Sequence, residues 1–159
     1  MQQFQVRKDN FSTARLVSDL PTPEMGEGEV LLRLDQFAFT ANNITYAAAG
    51  DMLGYWQFFA PQGDAAEGWG VIPVWGIADV IESNVSDVPV GERLYGYFPP
   101  ATYVTMQPVH IGKERLVEGV AHRQALPSAY NSYVRLNNEP GYSRDTDASR
   151  MLLAPLFIT

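Results

Sequence analysis

Asn42, Asn43, Thr45 and Tyr46 stand directly ahead of Ala47-Ala48-Ala49, and this polar group is the best candidate in the chain for chemistry on a small molecule. A tyrosine hydroxyl can donate a hydrogen bond to a carbonyl or enolate oxygen as negative charge develops there, which is electrophilic assistance. A second reading needs no ligand, because asparagines close turns and cap helices. Both readings stay open. Other routes to catalysis are closed or thin. Without cysteine there is no disulfide, no thiolate nucleophile and no cysteine-ligated zinc. His110 and His122 lack helical ligand spacing and read as surface or satisfied histidines. No Gly-x-Ser-x-Gly elbow occurs, and no general acid and base can be paired. Asp145 and Asp147 read as part of a solvated loop.

Tyr55, Trp56, Phe58 and Phe59 form an aromatic patch closed by Pro61. Aromatic walls with a few polar groups are typical of small-molecule sites, and Trp56 is the substrate-binding candidate on that reading. The patch also contains no more aromatic bulk than a small β core requires, which favours a core or interface role. Trp75 is expected to be buried.

The elements that must position these residues are mostly strands. Gln3 to Arg7 and Thr13 to Ser18 alternate and predict two antiparallel strands. Leu20-Pro21-Thr22-Pro23 forces an extended crossing. Glu29 to Phe39 predicts a central strand, and Thr40 to Gly50 a strand leading through a turn into a short helix that glycine ends. Gln62 to Gly70 is a loop rich in small residues. Val74 to Tyr97 organises the whole: an imperfectly alternating strand, buried on both faces for part of its length, then the turn Asn84 to Pro89, a Pro-Val-Gly-Glu-Arg corner and a second strand. Thr102 to Met106 adds another. Beyond Pro108 the pattern weakens, with a loop or frayed turn at Lys113 to Val120, a helix at Ser128 to Leu136, a loop at Asn137 to Asp145, and a helix at Asp147 to Phe157 begun by a cap-like acid. The expected class is mainly β, a partly open barrel with short helices and a more helical C-terminal part. Residues 1–136 are expected to form the barrel with its helical extension, and 137–159 a loop and linker helix.

The chain has 159 residues, 46% of them hydrophobic, enough for one sizeable core. A net charge of −7 and only two lysines, Lys8 and Lys113, leave no basic stripe for phosphates, so nucleic acid is not an expected partner. No apolar run reaches spanning length and Met1 to Arg15 is too polar for a signal peptide, so a cytoplasmic protein with no membrane partner is expected. Three short Asn-x-Ser/Thr matches, at Asn10, Asn43 and Asn84, are discounted for the same reason.

Three places together, G-E-G-E-V-L-L-R-L, A-D-V-I-E-S and V-G-E-R-L-Y-G-Y, resemble the N-terminal GroES-like domain of the medium-chain dehydrogenase/reductase superfamily. Its zinc-independent, quinone-oxidoreductase-like branch is the nearest in pattern. The likeness runs from Glu29 to Met106, about half the chain, with Glu92 where that family usually has Asp. N-N-I-T-Y-A and L-L-A-P-L-F-I-T are similar to elements of an uncharacterised two-domain subgroup. The zinc ligands are not matched: the cysteine position falls near Thr40 or Ala41 and the histidine position near Trp75, so no metal is implied.

The resemblance implies a barrel that forms one wall of a cleft, with a Rossmann domain as the other wall and holder of the cofactor phosphates. This sequence has no Gly-x-Gly-x-x-Gly and ends at Thr159, where that domain is expected to begin. The implied parent is an NADP(H)-dependent, zinc-independent reductase of a small carbonyl or enone. Relatives carry Asn-x-x-Asp facing nicotinamide and substrate; here Asn42 and Asn43 are present, the Asp is not, and Thr45 or Tyr46 stands nearby. That makes Tyr46 the catalytic candidate and Asn42, Asn43 and Thr45 substrate-binding candidates. A free-standing binding module and a co-chaperonin-like ring subunit are the competing classes. Met151 to Ile158 reads as an exposed apolar end that drives homodimer formation.

Overall fold

Gln3–Arg7 (β1) and Ala14–Val17 (β2) pair as an antiparallel hairpin with Gln3 opposite Val17. The proline-rich crossing that follows holds no helix. Val30–Ala38 (β3) begins with three buried residues and then alternates, and Ala41–Ala48 (α1) follows it with almost no connection. Trp69–Gly70 (β4) returns to the other side of β1, completing a small sheet of order β2-β1-β4.

The long ribbon is Val74–Ser83 (β5) and Arg93–Phe98 (β6), paired from Val74 opposite Phe98 to Asp79 opposite Arg93. Val74 to Ala78 are all buried, which explains why the sequence does not alternate there. Gly91 sits at φ +88°, a backbone conformation that favours glycine, and its N–H bonds Val80 O at 2.8 Å, closing the corner. Gly96 matters through space: a Cβ there would stand 2.2 Å from the Tyr133 ring.

Tyr103–Met106 (β7), Pro108–Val109 (β8), Arg115–Glu118 (β9) and Ser132–Arg135 (β10) complete a seven-strand sheet of order β7-β3-β5-β6-β10-β9-β8. Its two edges are consecutive in sequence, so the sheet curls into a nearly closed barrel. Asp147–Leu153 (α2) lies against β3 and β5. The computed structural model describes residues 1–157. The chain is therefore mainly β, with few short helices, and among the described residues no helix is long and apolar enough to cross a membrane.

Several expectations change, beginning with the loop expected at Gln62 to Gly70, whose last two residues are the strand β4. Lys113 to Val120 is not a frayed turn: Arg115–Glu118 is β9, because Arg-Leu-Val-Glu puts Leu116 in the core while its backbone bonds β10. Ser128 to Leu136 is not a helix. A 3₁₀ turn, Ser128–Asn131, leads into β10, which has open partners on both sides in β6 and β9. Two ladders outweigh a local helical spacing that could bury only one face. Asp147 is not a solvated loop acid; it is buried inside the first turn of α2.

The core has two parts. One is mostly aliphatic and includes Val30, Leu32, Val80, Leu94 and Leu116, with Phe98 and Tyr133 among them. The other is aromatic, built from Tyr46, Tyr55, Trp56, Phe58, Trp75, Tyr97 and Tyr130, with Met151 of α2 packed into it. The outer side of that last segment differs: Leu152, Leu153 and Leu156 are exposed. Ile158, the end of the expected apolar stretch, lies outside the described residues.

Candidate functional site

The helix α1 begins earlier than its alanines imply because Asn43 organises its first turn. The Asn43 Oδ1 accepts from Thr40 N at 2.6 Å, and its Nδ2 donates to Pro73 O at 2.9 Å. Asn43 is thus engaged as a cap and a tie to the strand β5 approach. Asn42 is half-buried and Thr45 exposed, next to Ile44. Tyr46 points inward and is 1% exposed. Its hydroxyl accepts from Trp75 Nε1 at 3.0 Å, and its ring packs on Tyr55, Tyr97 and Tyr130 at centroid distances of 4.9–6.1 Å. Burial raises the Tyr46 pKa, and the Trp75 hydrogen bond opposes that only in part. The hydroxyl therefore keeps its proton across the neutral range. Beside it the Tyr55 and Tyr130 hydroxyls share a 3.0 Å hydrogen bond, while the Tyr95 and Tyr97 hydroxyls are buried without a hydrogen-bond partner among the described residues.

Trp56 sits in the 3₁₀ turn Tyr55–Gln57 and is buried close against Gly50 and Gly70. Its edge lines a cleft of about 470 Å³ with Phe58, Phe59, Thr105, Glu118 and Arg123; Asn42, Asn43, Thr45 and Tyr46 are not among the lining residues. The structure therefore separates Trp56 from the other four candidates by function of surface, although all share one aromatic core region. A volume of this size falls within the ~300–1,000 Å³ of small-molecule sites.

The cleft holds two buried charged residues, Glu118 (3% exposed) and Arg123 (2% exposed). Arg123 Nε donates to Asn131 Oδ1 at 2.9 Å, Nη1 to the Tyr133 hydroxyl at 3.1 Å and Nη2 to Tyr130 O at 2.7 Å. Its guanidinium also lies 5.1 Å and 5.2 Å from the Phe58 and Phe59 ring centroids. Glu118 Oε1 accepts from Gln107 N and Val120 N, each at 3.0 Å, while Oε2 has Arg123 Nη1 only at 3.9 Å. At that distance the ion pair is too weak to offset desolvation, and burial raises the Glu118 pKa above its ordinary 4.5 despite the backbone donors. The sign follows: the native state holds this proton more tightly than the unfolded chain. Its contribution to stability is full below the unfolded pKa and is lost as pH rises through the folded one. Glu118→Gln, neutral throughout, should fall less steeply in unfolding free energy above pH 4.5. Urea titrations over that range would contradict this if wild type and variant ran parallel.

A third arrangement surrounds Arg93. Its Nη1 bonds Asp79 at 2.8 Å, Nη2 bonds Asp147 at 2.8 Å and Asp35 at 2.5 Å, and Nε donates to the Tyr142 hydroxyl at 2.9 Å. Tyr142 in turn donates to Asp147 Oδ1 at 2.9 Å. Burial pulls the Arg93 pKa down, but the hydrogen bonds from Asp147, Asp35, Asp79 and Tyr142 more than offset it and the net shift is upward. One guanidinium thus ties β3, β5 and β6 to α2. Sequence reasoning missed this group and the Glu118–Arg123 pair, although Asp79 in G-I-A-D-V-I is a charge inside an apolar run, a visible signal of a buried partner.

His122 Nε2 lies 3.2 Å from Phe58 O and His110 is exposed. Among the described residues no three histidine, aspartate or glutamate side chains are grouped so as to hold a metal ion. No curated protein matches the chain. Residues 37–159, well over half of it, match the family model described as "Protein of unknown function (DUF2855)", and the chain belongs to that family.

Proposed function

We propose that this chain is the substrate-side domain of an NADP(H)-dependent, zinc-independent oxidoreductase acting on a small carbonyl or enone, and that its barrel is of the GroES-like kind. The reading starts from the resemblance carried by the Glu29 to Met106 motifs. The observation that carries it further is the two-sided character of the elements around the aromatic core. α1 and α2 both seat their inner residues, Tyr46, Ala47 and Met151, in that core. Both leave large apolar side chains outside, Ile44 (62% exposed) on one and Leu152 and Leu153 on the other. Water-facing side chains of this size are what a covering domain buries.

The residues here fit only part of the cofactor's needs. Thr45 and Asn42 offer uncharged polar groups beside Ile44, suited to a nicotinamide or carbonyl edge, whereas a chain of net charge −7 with no glycine-rich phosphate loop leaves the phosphates to the covering domain. When bound, the dinucleotide supplies a hydride. The Thr45 hydroxyl donates to the substrate oxygen, and the Asn42 amide holds that oxygen in place. Tyr46, kept protonated by burial and bonded to Trp75, stands behind them and fixes α1 on the core, while the proton that completes the product comes from solvent through the exposed Thr45 hydroxyl.

The test uses the product of the whole reading frame that contains this chain. Adding NADPH should change its nicotinamide fluorescence, and cyclohexenone should then oxidise it. The chain of 159 residues alone should bind NADPH weakly or not at all. No fluorescence change with the longer protein would sink the reductase reading and leave the competing one, a free-standing binding module.

A further inference from the structure

The cleft beside β7 and β9 has a feature that its aromatic walls alone do not explain. Glu118 Oε2 and Arg123 Nη1 stand 3.9 Å apart, too far for a hydrogen bond and near enough to be bridged by one flat group. Glu118 spends its other oxygen on two backbone donors. Arg123 commits three of its five N–H groups, one from each nitrogen. An acceptor and a donor therefore sit side by side, both on side chains more than nine-tenths buried, in a cleft also walled by Trp56, Phe58 and Phe59.

The complement of an acceptor next to a donor is a group that offers a donor next to an acceptor. A carboxamide or a lactam does so, with its N–H toward Glu118 and its C=O toward Arg123. A ketone lacks the donor. A carboxylate lacks it too and meets the Glu118 charge. The ring walls favour a planar aromatic body over an aliphatic one. We propose that this cleft is a binding site for a neutral, planar aromatic carboxamide or lactam, read by Glu118 and Arg123 together. The site is independent of the α1 residues and of any cofactor domain.

Binding of benzamide, acetophenone and benzoate to the isotopically labelled chain is followed by backbone amide shifts in NMR titrations. The Gln107 and Val120 amides report directly, because both bond Glu118 Oε1. Benzamide should saturate the shifts at these amides about tenfold more tightly than either other compound, the value of one well-made hydrogen bond. Glu118→Gln keeps an oxygen for the backbone donors and turns an N–H toward the cleft, so benzamide should lose about tenfold while acetophenone does not. Thr105→Trp fills the cleft from β7 and should abolish binding of benzamide; amide spectra of both variants confirm that they fold. Equal affinity for the three compounds, shifts that map elsewhere, or benzamide binding unchanged in either variant would overturn the assignment. No result of this titration bears on NADPH binding, so the two readings fail separately.

Discussion

Arg93→Ala should lower folding stability by about 3–5 kcal/mol, because it leaves carboxylates buried without their cation. Asp147 is essentially inaccessible and Asp79 half-buried, while Asp35 is largely in water and contributes less. The side chain also holds four elements at once, so its loss frees α2 from β3 and β5 as well as removing an ion pair. Arg93→Lys should recover little, since a single ammonium cannot reproduce the forked contacts to Asp79, Asp147, Asp35 and Tyr142. Asp147→Asn, which keeps an oxygen for Arg93 and gives up the one that accepts from Tyr142, should cost less than either. Chemical denaturation of the three variants checks the order. An Arg93→Ala variant within 1 kcal/mol of wild type would show that the network is not what secures α2, since a loss that small is ordinary for a surface change (about 0.5 kcal/mol) rather than a broken buried pair.

Phe58→Ala should cost a similar ~3–5 kcal/mol, for a different reason. Phe58 is fully buried and touches the aromatic core on several sides, with the Tyr97 and Tyr130 rings edge-on at 5.2 Å and 5.6 Å and the Tyr55 ring stacked at 6.3 Å. It also covers the Arg123 guanidinium. Truncation removes the packing and opens a void that the surrounding tyrosines, several fixed by hydrogen bonds, cannot collapse to fill. Phe59→Ala, at a half-buried neighbour, is the natural comparison and should lose much less. Similar unfolding midpoints for the two alanine variants would refute the view that Phe58 is a keystone of the aromatic core.

Much of the strand layout is legible in the sequence. β1 is found at the residues its alternation marks, β2, β3, β5, β6 and β7 within a residue or two, because each strand has a run of β-formers bounded by glycine, proline or asparagine. The Gly91 corner, too, could be read from Pro-Val-Gly-Glu-Arg. The second half was less legible. β9 is four residues long and β10 is preceded by a 3₁₀ turn, so their local patterns are too short to outvote loop and helix. Their strand character comes from what they pair with.

The candidate site divides in the same way. In sequence Asn43 suits both a ligand group and a helix cap, and its side chain is found capping α1. The sequence predicts a buried Trp75, and it is buried, but its donation to Tyr46 follows only from bringing β5 beneath α1. Glu118 and Arg123 are five residues apart in a stretch with no motif, and Arg93 lies 54 residues from Asp147 and 58 from Asp35.

Sequence alone determined most strands of the first two thirds of the chain, the corner, the absence of cysteine chemistry and the acidic balance, because each depends on neighbouring residues or on composition. Only the tertiary structure decided which charges are buried, which hydroxyls face the core and which side chains meet in a cleft. Burial and pairing depend on contacts between distant segments, and the free energy of a charge or a phenol is set by those contacts rather than by its neighbours in the chain.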